Sequence, residues 1–244
     1  IRKLSQSKPQ LSLHNHVVSN LKNRMFTRKK MKYPELKPGD RIRKLIEEYV
    51  QPVLLPLGFK LLKSELTFKR KIGDFTQEIY FAKNQRNFGN TIVSFWTILS
   101  VKSNYYVKWH EKTYGIKPMN EFVESWYDNH IKTWNSEYWN GGQYDLTEFD
   151  NVKLMDDLTK NILTIGIPLL DKVSDWEGAS DSLMEKQRFG FISKIFDFYI
   201  LAGKEEKAIE SLKVIEDYFK SVDEVHKERF EEIERRKDYL QHRI

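Results

Sequence analysis

Acid–base or metal chemistry in this 244-residue chain would have to come from imidazole and carboxylate side chains, because there is no cysteine. That absence removes disulfides, thiolate zinc sites, thiol nucleophiles and iron–sulfur ligation together. The six histidines are His14, His16, His110, His130, His226 and His242. A metal centre or an acid–base pair needs several such groups converging on one point, and the spacing does not supply it. No His-x-x-x-His pair occurs from residue 31 onward, and His110-Glu111, the one His–acid neighbour, diverge by about 100° on a helix. Leu13-His14-Asn15-His16 is contiguous, whereas nucleases that use His and Asn hold them apart on a strand–loop–helix site. Asp156-Asp157 and the Asp171/Asp175 pair read as solvation and helix-end electrostatics. Neither a Gly-x-Ser-x-Gly elbow nor a glycine-rich phosphate loop is present. The expectation is therefore no catalytic residue, no metal and no cofactor, and a reading that leans away from an enzyme.

The aromatics carry a positive signal. Tyr105, Tyr106, Trp109, Trp126, Tyr127, Trp134, Tyr138 and Trp139 crowd one stretch of sequence, and aromatic side chains give large contact areas at small entropic cost. With polar neighbours added, the candidate ligand-binding set is Arg86, Tyr106, Trp109, His110, Trp126, Tyr127, Trp134, Tyr138 and Trp139. For most of these aromatics, packing over a sheet is the favoured alternative.

Charge is unevenly placed. The chain has a formal net charge of +6, yet Arg2, Lys3, Lys8, Lys22, Arg24, Arg28, Lys29 and Lys30 meet no acid in residues 1–30. The remainder holds two more acids than bases. Because a globular-looking sequence opens at Met31-Lys32-Tyr33-Pro34, the first reading of residues 1–30 is a tail, disordered or outside the native protein. A nucleic-acid-binding arm and a transit peptide are the other two. Polar residues interrupt any secretory h-region, and no membrane partner is expected. Lack of cysteine fits a reducing, cytoplasmic location.

The elements that must position any site follow from periodicity. Asp40 can cap a helix with the stripe Ile42, Leu45, Ile46, Tyr49 and Val50, and Gly58 can end it at positive φ. Residues 59–71 read as a strand or hairpin, 75–83 as an alternating strand, and 91–102, apolar on both sides, as the central strand of a meander. Helical pieces are expected near 104–113 and 119–131, then a short extended stretch at Tyr144 to Leu146. Asp150 caps a helix that Gly166 and Pro168 interrupt. From about Ser182 only helices are expected: 186–202, 204–220 and 222–241. The charges of the last read as a solvated face, with i,i+4 pairs Lys227/Glu231, Glu231/Arg235 and Glu232/Arg236. The fold class is thus α+β, an antiparallel sheet of about four strands with packed helices over residues 31–181, followed by an all-helical appendage over 182–244.

Leu57-Gly58-Phe59-Lys60, Leu66-Thr67-Phe68-Lys69-Arg70, Phe75 to Phe81 and Ile167-Pro168-Leu169-Leu170 resemble the pattern of an uncharacterised bacterial family, the domain of unknown function numbered 4304. The likeness covers about residues 40–180 and implies no reaction, since that family has no established catalytic residues. Ala202-Gly203-Lys204-Glu205-Glu206-Lys207-Ala208-Ile209 looks like the turn of a tetratricopeptide-type hairpin, here a single one. The leading functional expectation is a non-catalytic binding module with a protein partner, engaged through the aromatic region or the helical hairpin. The alternatives are an enzyme with a dispersed polar site near His110 and a nucleic-acid binder acting through the tail.

Overall fold

A computed structural model describes residues 31–222 and 227–242. The basic tail, and with it the nucleic-acid reading, lies outside the described residues. The first helix, α1 (Pro38–Leu45), starts with Pro38 in its first turn, where a missing N–H costs nothing. Asp40 lies inside that turn and does not cap it, contrary to expectation; Lys37 holds the cap position without a side-chain bond. A π-helical turn (Ile46–Val50) carries the chain into α2 (Gln51–Leu54) and a 3-10 turn (Leu55–Leu57). Gly58, at φ +86°, then reverses direction.

The sheet has seven strands rather than about four: β1 (Lys60–Leu62), β2 (Thr67–Ile72), β3 (Phe75–Lys83), β4 (Ser94–Lys102), β5 (Phe122–Tyr127), β6 (Trp139–Asn140) and β7 (Gln143–Asp145). All pairings are antiparallel, in the order β1-β2-β3-β4-β7-β6, with β5 also on β4. The extra strands come from 119–149, where a helix was expected over 119–131 and β5 stands instead. Its composition, Phe-Val-Glu-Ser-Trp-Tyr, is that of a pleated surface. β4 is central as its two apolar sides imply: one edge pairs β3, and the other is shared, Ile98–Lys102 with β5 and Ser94–Phe95 with β7.

Phe75, Gln77, Ile79 and Phe81 alternate onto the buried side of β3, joined by Phe95, Thr97, Leu99 and Val101 of β4. Helices cover that side. α4 (Asn151–Asn161) is capped by Asp150, which accepts from the backbone N–H of Val152 and Lys153. It continues through a second π-helical turn (Ile162–Gly166) into α5 (Ile167–Lys172), so Gly166 and Pro168 reshape the helix rather than end it. Gly166 permits the close approach: a Cβ there would stand 3.2 Å from the Trp134 ring and 3.4 Å from Leu99. Gln77, buried in the strand, is satisfied by Arg70, Asp171 and Ser174. Asp171 thus serves the sheet–helix seam, while Asp175 caps the next helix by accepting from Gly178 N–H.

The remaining helices are α3 (Asn104–Tyr114), between β4 and β5, and then α6 (Trp176–Glu185), α7 (Ile192–Leu201), α8 (Glu205–Ser221) and α9 (Lys227–Gln241). A 3-10 turn (Phe189–Phe191) precedes α7, where one helix over 186–202 was expected. α6 runs across the expected boundary at 181/182, and one continuous buried set extends from Ile42 to Ile233. The helical part is joined to the sheet through Trp176 on Phe75 (centroids 4.3 Å), Tyr106 on Phe198 (5.0 Å) and Ser182 Oγ donating to Glu124 (2.8 Å). Among the described residues no helix is long and apolar enough to cross a membrane.

Candidate functional site

The aromatic set does not form one patch. Trp134 is buried, its Nε1–H donating to the Tyr144 hydroxyl at 2.9 Å. Half-buried Trp139 packs on Tyr144, and half-buried Tyr138 packs edge-on to Phe149. Trp126 is buried beneath the Lys186 ammonium, 4.7 Å from its ring. Arg86 is exposed in the β3–β4 connection, its backbone N–H bonded to Asn84. Tyr127 is exposed on the opposite, helix-free face of the sheet beside His130. Tyr106, Trp109 and His110 stay together on α3, facing the C-terminal helices.

That α3 group covers the most concentrated polar cluster in the protein. Asp197 of α7 is fully buried and accepts from four groups: Tyr106 Oη (3.1 Å), Tyr114 Oη (2.8 Å), and the Nε (3.0 Å) and Nη2 (3.2 Å) of Arg236 on α9. The Arg236 guanidinium also stacks 4.0 Å over Tyr114 and reaches Glu232 at 2.8 Å. Burial pulls that guanidinium down, but Asp197, Tyr114 and Glu232 outweigh it and hold it above its ordinary value. Burial pushes both phenols up.

His110 completes the cluster with no free ring nitrogen. Nδ1 lies 2.8 Å from the Ile116 carbonyl, which accepts only from a protonated nitrogen, so Nδ1 carries the hydrogen. Nε2 then faces Arg236 Nη2 at 3.3 Å as an acceptor, with Asp197 Oδ2 3.7 Å away. A general base needs a lone pair directed at substrate; here both nitrogens are spent on the protein. The imidazole and carboxylate meet, as an enzyme would require, but as a closed hydrogen-bonded knot. Among the described residues no group of three potential metal ligands converges.

Above the knot lies a cleft of about 570 Å³, open to solvent, between the α3–β5 loop, the start of α7, and α9. Its rim is apolar and exposed: Ile116 (52 %), Met119 (94 %) and Phe191 (41 %). Phe191 also lines a slot of about 220 Å³ against β5 and a third depression beside Tyr218, so three contiguous hollows meet at one exposed ring. Sequence reading missed Phe191, Met119, Lys194 and Arg236. The 3-10 turn that turns Phe191 outward has no periodic signature. A lone acid inside Ile195-Phe196-Asp197-Phe198 was the readable sign that a buried cation would come from elsewhere.

The competing surface is the uncovered face of the sheet, with a depression of about 590 Å³ lined by exposed Tyr80, and with Tyr127 exposed outside that depression. Most of the depression's charges are paired: Lys69 pairs with Glu65 and Glu78, and Lys102 with Glu78 and Glu121, while Lys83, which also lines it, has no carboxylate within 4.0 Å among the described residues. At the Phe191 junction Lys194 and Arg229 have no carboxylate within 4.0 Å among the described residues, with Glu124 acting on Lys194 from further off. Lys194 Nζ donates to the Phe122 carbonyl at 2.6 Å, and burial pushes the ammonium down to about 8.

The sign of that shift sets a pH dependence. With the folded value below the ordinary 10.4, the unfolded chain binds more protons between the two, so stability rises with pH across that window. The cost of Lys194 is fully present below about pH 8 and relieved toward pH 10. In urea titrations, the wild-type midpoint is expected to gain on that of Lys194→Met from pH 8 to pH 10; parallel profiles would contradict the burial assignment.

No family model, curated protein or solved structure matches the chain.

Proposed function

We propose that this chain is a non-catalytic protein-interaction module that engages its partner at the Phe191 junction. The observation that carries the reading is the convergence of three hollows on an exposed aromatic ring above a polar knot with no spare acid or base. Exposed apolar side chains grouped around concavities are what protein contacts use as anchors, and an aromatic at the centre of such a patch is the commonest hot spot. The same knot argues against a dispersed active site at His110.

Affinity capture from extract of the source cells, with bound proteins quantified against wild type, tests the reading. Met119→Glu/Phe191→Glu changes only exposed positions, for which stability effects are normally within about 0.5 kcal/mol, and is expected to remove the captured partner. Tyr80→Glu/Tyr127→Glu, on the sheet face, is expected to retain it. The reverse pattern would move the interaction to the sheet, and a partner indifferent to both variants would overturn the assignment to either surface.

A further inference from the structure

We propose that the slot between β5 and the α6–α7 connection receives an apolar side chain of the partner, and that a carboxylate adjacent to that side chain pairs with Lys194 and Arg188. This rests on the protein-binding reading above and adds the chemistry of the partner to it.

At about 220 Å³, walled by Phe122, Val123, Leu183 and Phe191, the slot suits a single large side chain and falls below the usual range for whole small-molecule ligands.

The charges at its mouth are one-sided. Glu124 is the one carboxylate in the lining, and it is spent: its side chain is 3 % exposed, accepting from Lys186 at 2.7 Å and from Ser182 at 2.8 Å. Arg188 reaches the same carboxylate only at 3.8 Å. Lys194 donates to the Phe122 carbonyl and, at 3.4 Å, to Asn120 Oδ1; Arg229, on the far side of Phe191, donates to the Gly190 carbonyl at 2.8 Å. Among the described residues neither Lys194 nor Arg229 has a carboxylate within 4.0 Å. Positive charge held against neutral oxygens in a partly desolvated hollow is poised for a negative partner, since pairing gains strength as the dielectric falls.

Polarity sets a direction as well. The acids Glu228, Glu231 and Glu232 line the α9 wall of the larger cleft but not the slot, and Glu232 is tied to Arg235 and Arg236. The same wall carries Arg229, Arg235 and Arg236, so its charges balance, and the excess of positive charge that draws an acidic segment lies at the slot.

A random dodecapeptide library displayed on phage and selected on the whole protein tests this, with synthetic copies of enriched peptides measured by fluorescence anisotropy. Enriched sequences are expected to place Asp or Glu beside Leu, Ile, Met or Phe. Their affinity should fall at least about tenfold on Arg188→Gln/Lys194→Gln and hold on Lys71→Gln, an exposed lysine on the sheet. Peptides without an acidic excess, or unaffected by Arg188→Gln/Lys194→Gln, would overturn the proposed chemistry while leaving the junction standing if Phe191→Glu abolishes their binding. Peptides that bind Phe191→Glu as well as wild type would instead overturn the underlying reading, and a library that yields no binder counts against both.

Discussion

Arg236→Ala is expected to lower stability toward urea by about 3–5 kcal/mol, the usual cost of removing one partner of a buried ion pair. Arg236 is 1 % exposed and Asp197 is fully buried. Removing the guanidinium leaves a carboxylate beneath α3 and α9 with two phenol donors and no countercharge. It also takes from α9 one of its two buried residues, the other being Ile233, so amide exchange in α9 should rise to that of a detached helix. Asp197→Leu/Arg236→Met, apolar at both ends, is expected to recover most of the loss, because the cost lies in the orphaned charge. A loss below about 1 kcal/mol for Arg236→Ala would mean that the knot does not hold the helix.

Trp134→Ala should cost a similar amount, about 3–5 kcal/mol, by opening a large cavity under the central strand. The ring lies against the π-helical turn where Gly166 admits it, and its N–H holds the Tyr144 hydroxyl, whose own ring stacks on Phe95 at 5.7 Å. Peptides selected at the Phe191 junction should bind the folded fraction of this variant as they bind wild type. Loss of binding out of proportion to loss of fold would return Trp134 to the recognition surface suggested by sequence.

Strands β2 to β4, Gly58 at positive φ, the Asp150 cap with its helix, and α7 to α9 in outline follow from periods and caps that act within a few residues, whereas α6 (Trp176–Glu185) was not expected. The α+β class was legible for the same reason. The extent of the sheet was not: β7 (Gln143–Asp145) overlaps the extended stretch expected at Tyr144 to Leu146, but the two-residue β6 is too short for alternation to register, and β5 has Val123 and Glu124 consecutively buried beside a bulge at Val101/Lys102. π-helical turns likewise leave no mark, because Gly166 and Pro168 read locally as breakers.

The aromatic crowding was legible in the sequence; where each ring lies was not. Tyr106 and His110 do line the cleft, but which aromatics point outward depends on contacts between distant parts of the chain, such as Arg236 to His110, 126 residues apart. The charges of α9 show why: Lys227–Glu231 forms on the surface at 3.6 Å as spacing implies, while Arg236, in the same kind of i,i+4 pair with Glu232, is driven inward by Asp197. Spacing along one helix is blind to an acid on another.

A knot that engages both His110 ring nitrogens and both Asp197 oxygens within the protein fixes α9 against α7. What the cleft then offers is shape, an exposed ring and unanswered positive charge.

The most direct measurement is site-specific photo-crosslinking in source-cell extract, with a photoreactive residue at position 119 and, separately, at position 88. Met119 is 94 % exposed at the junction and Phe88 is 76 % exposed in the β3–β4 connection, so both probes are open to solvent and differ in location. A discrete protein adduct from position 119 and none from position 88 is the predicted result. The same adducts from both, or an adduct from 88 alone, would contradict it.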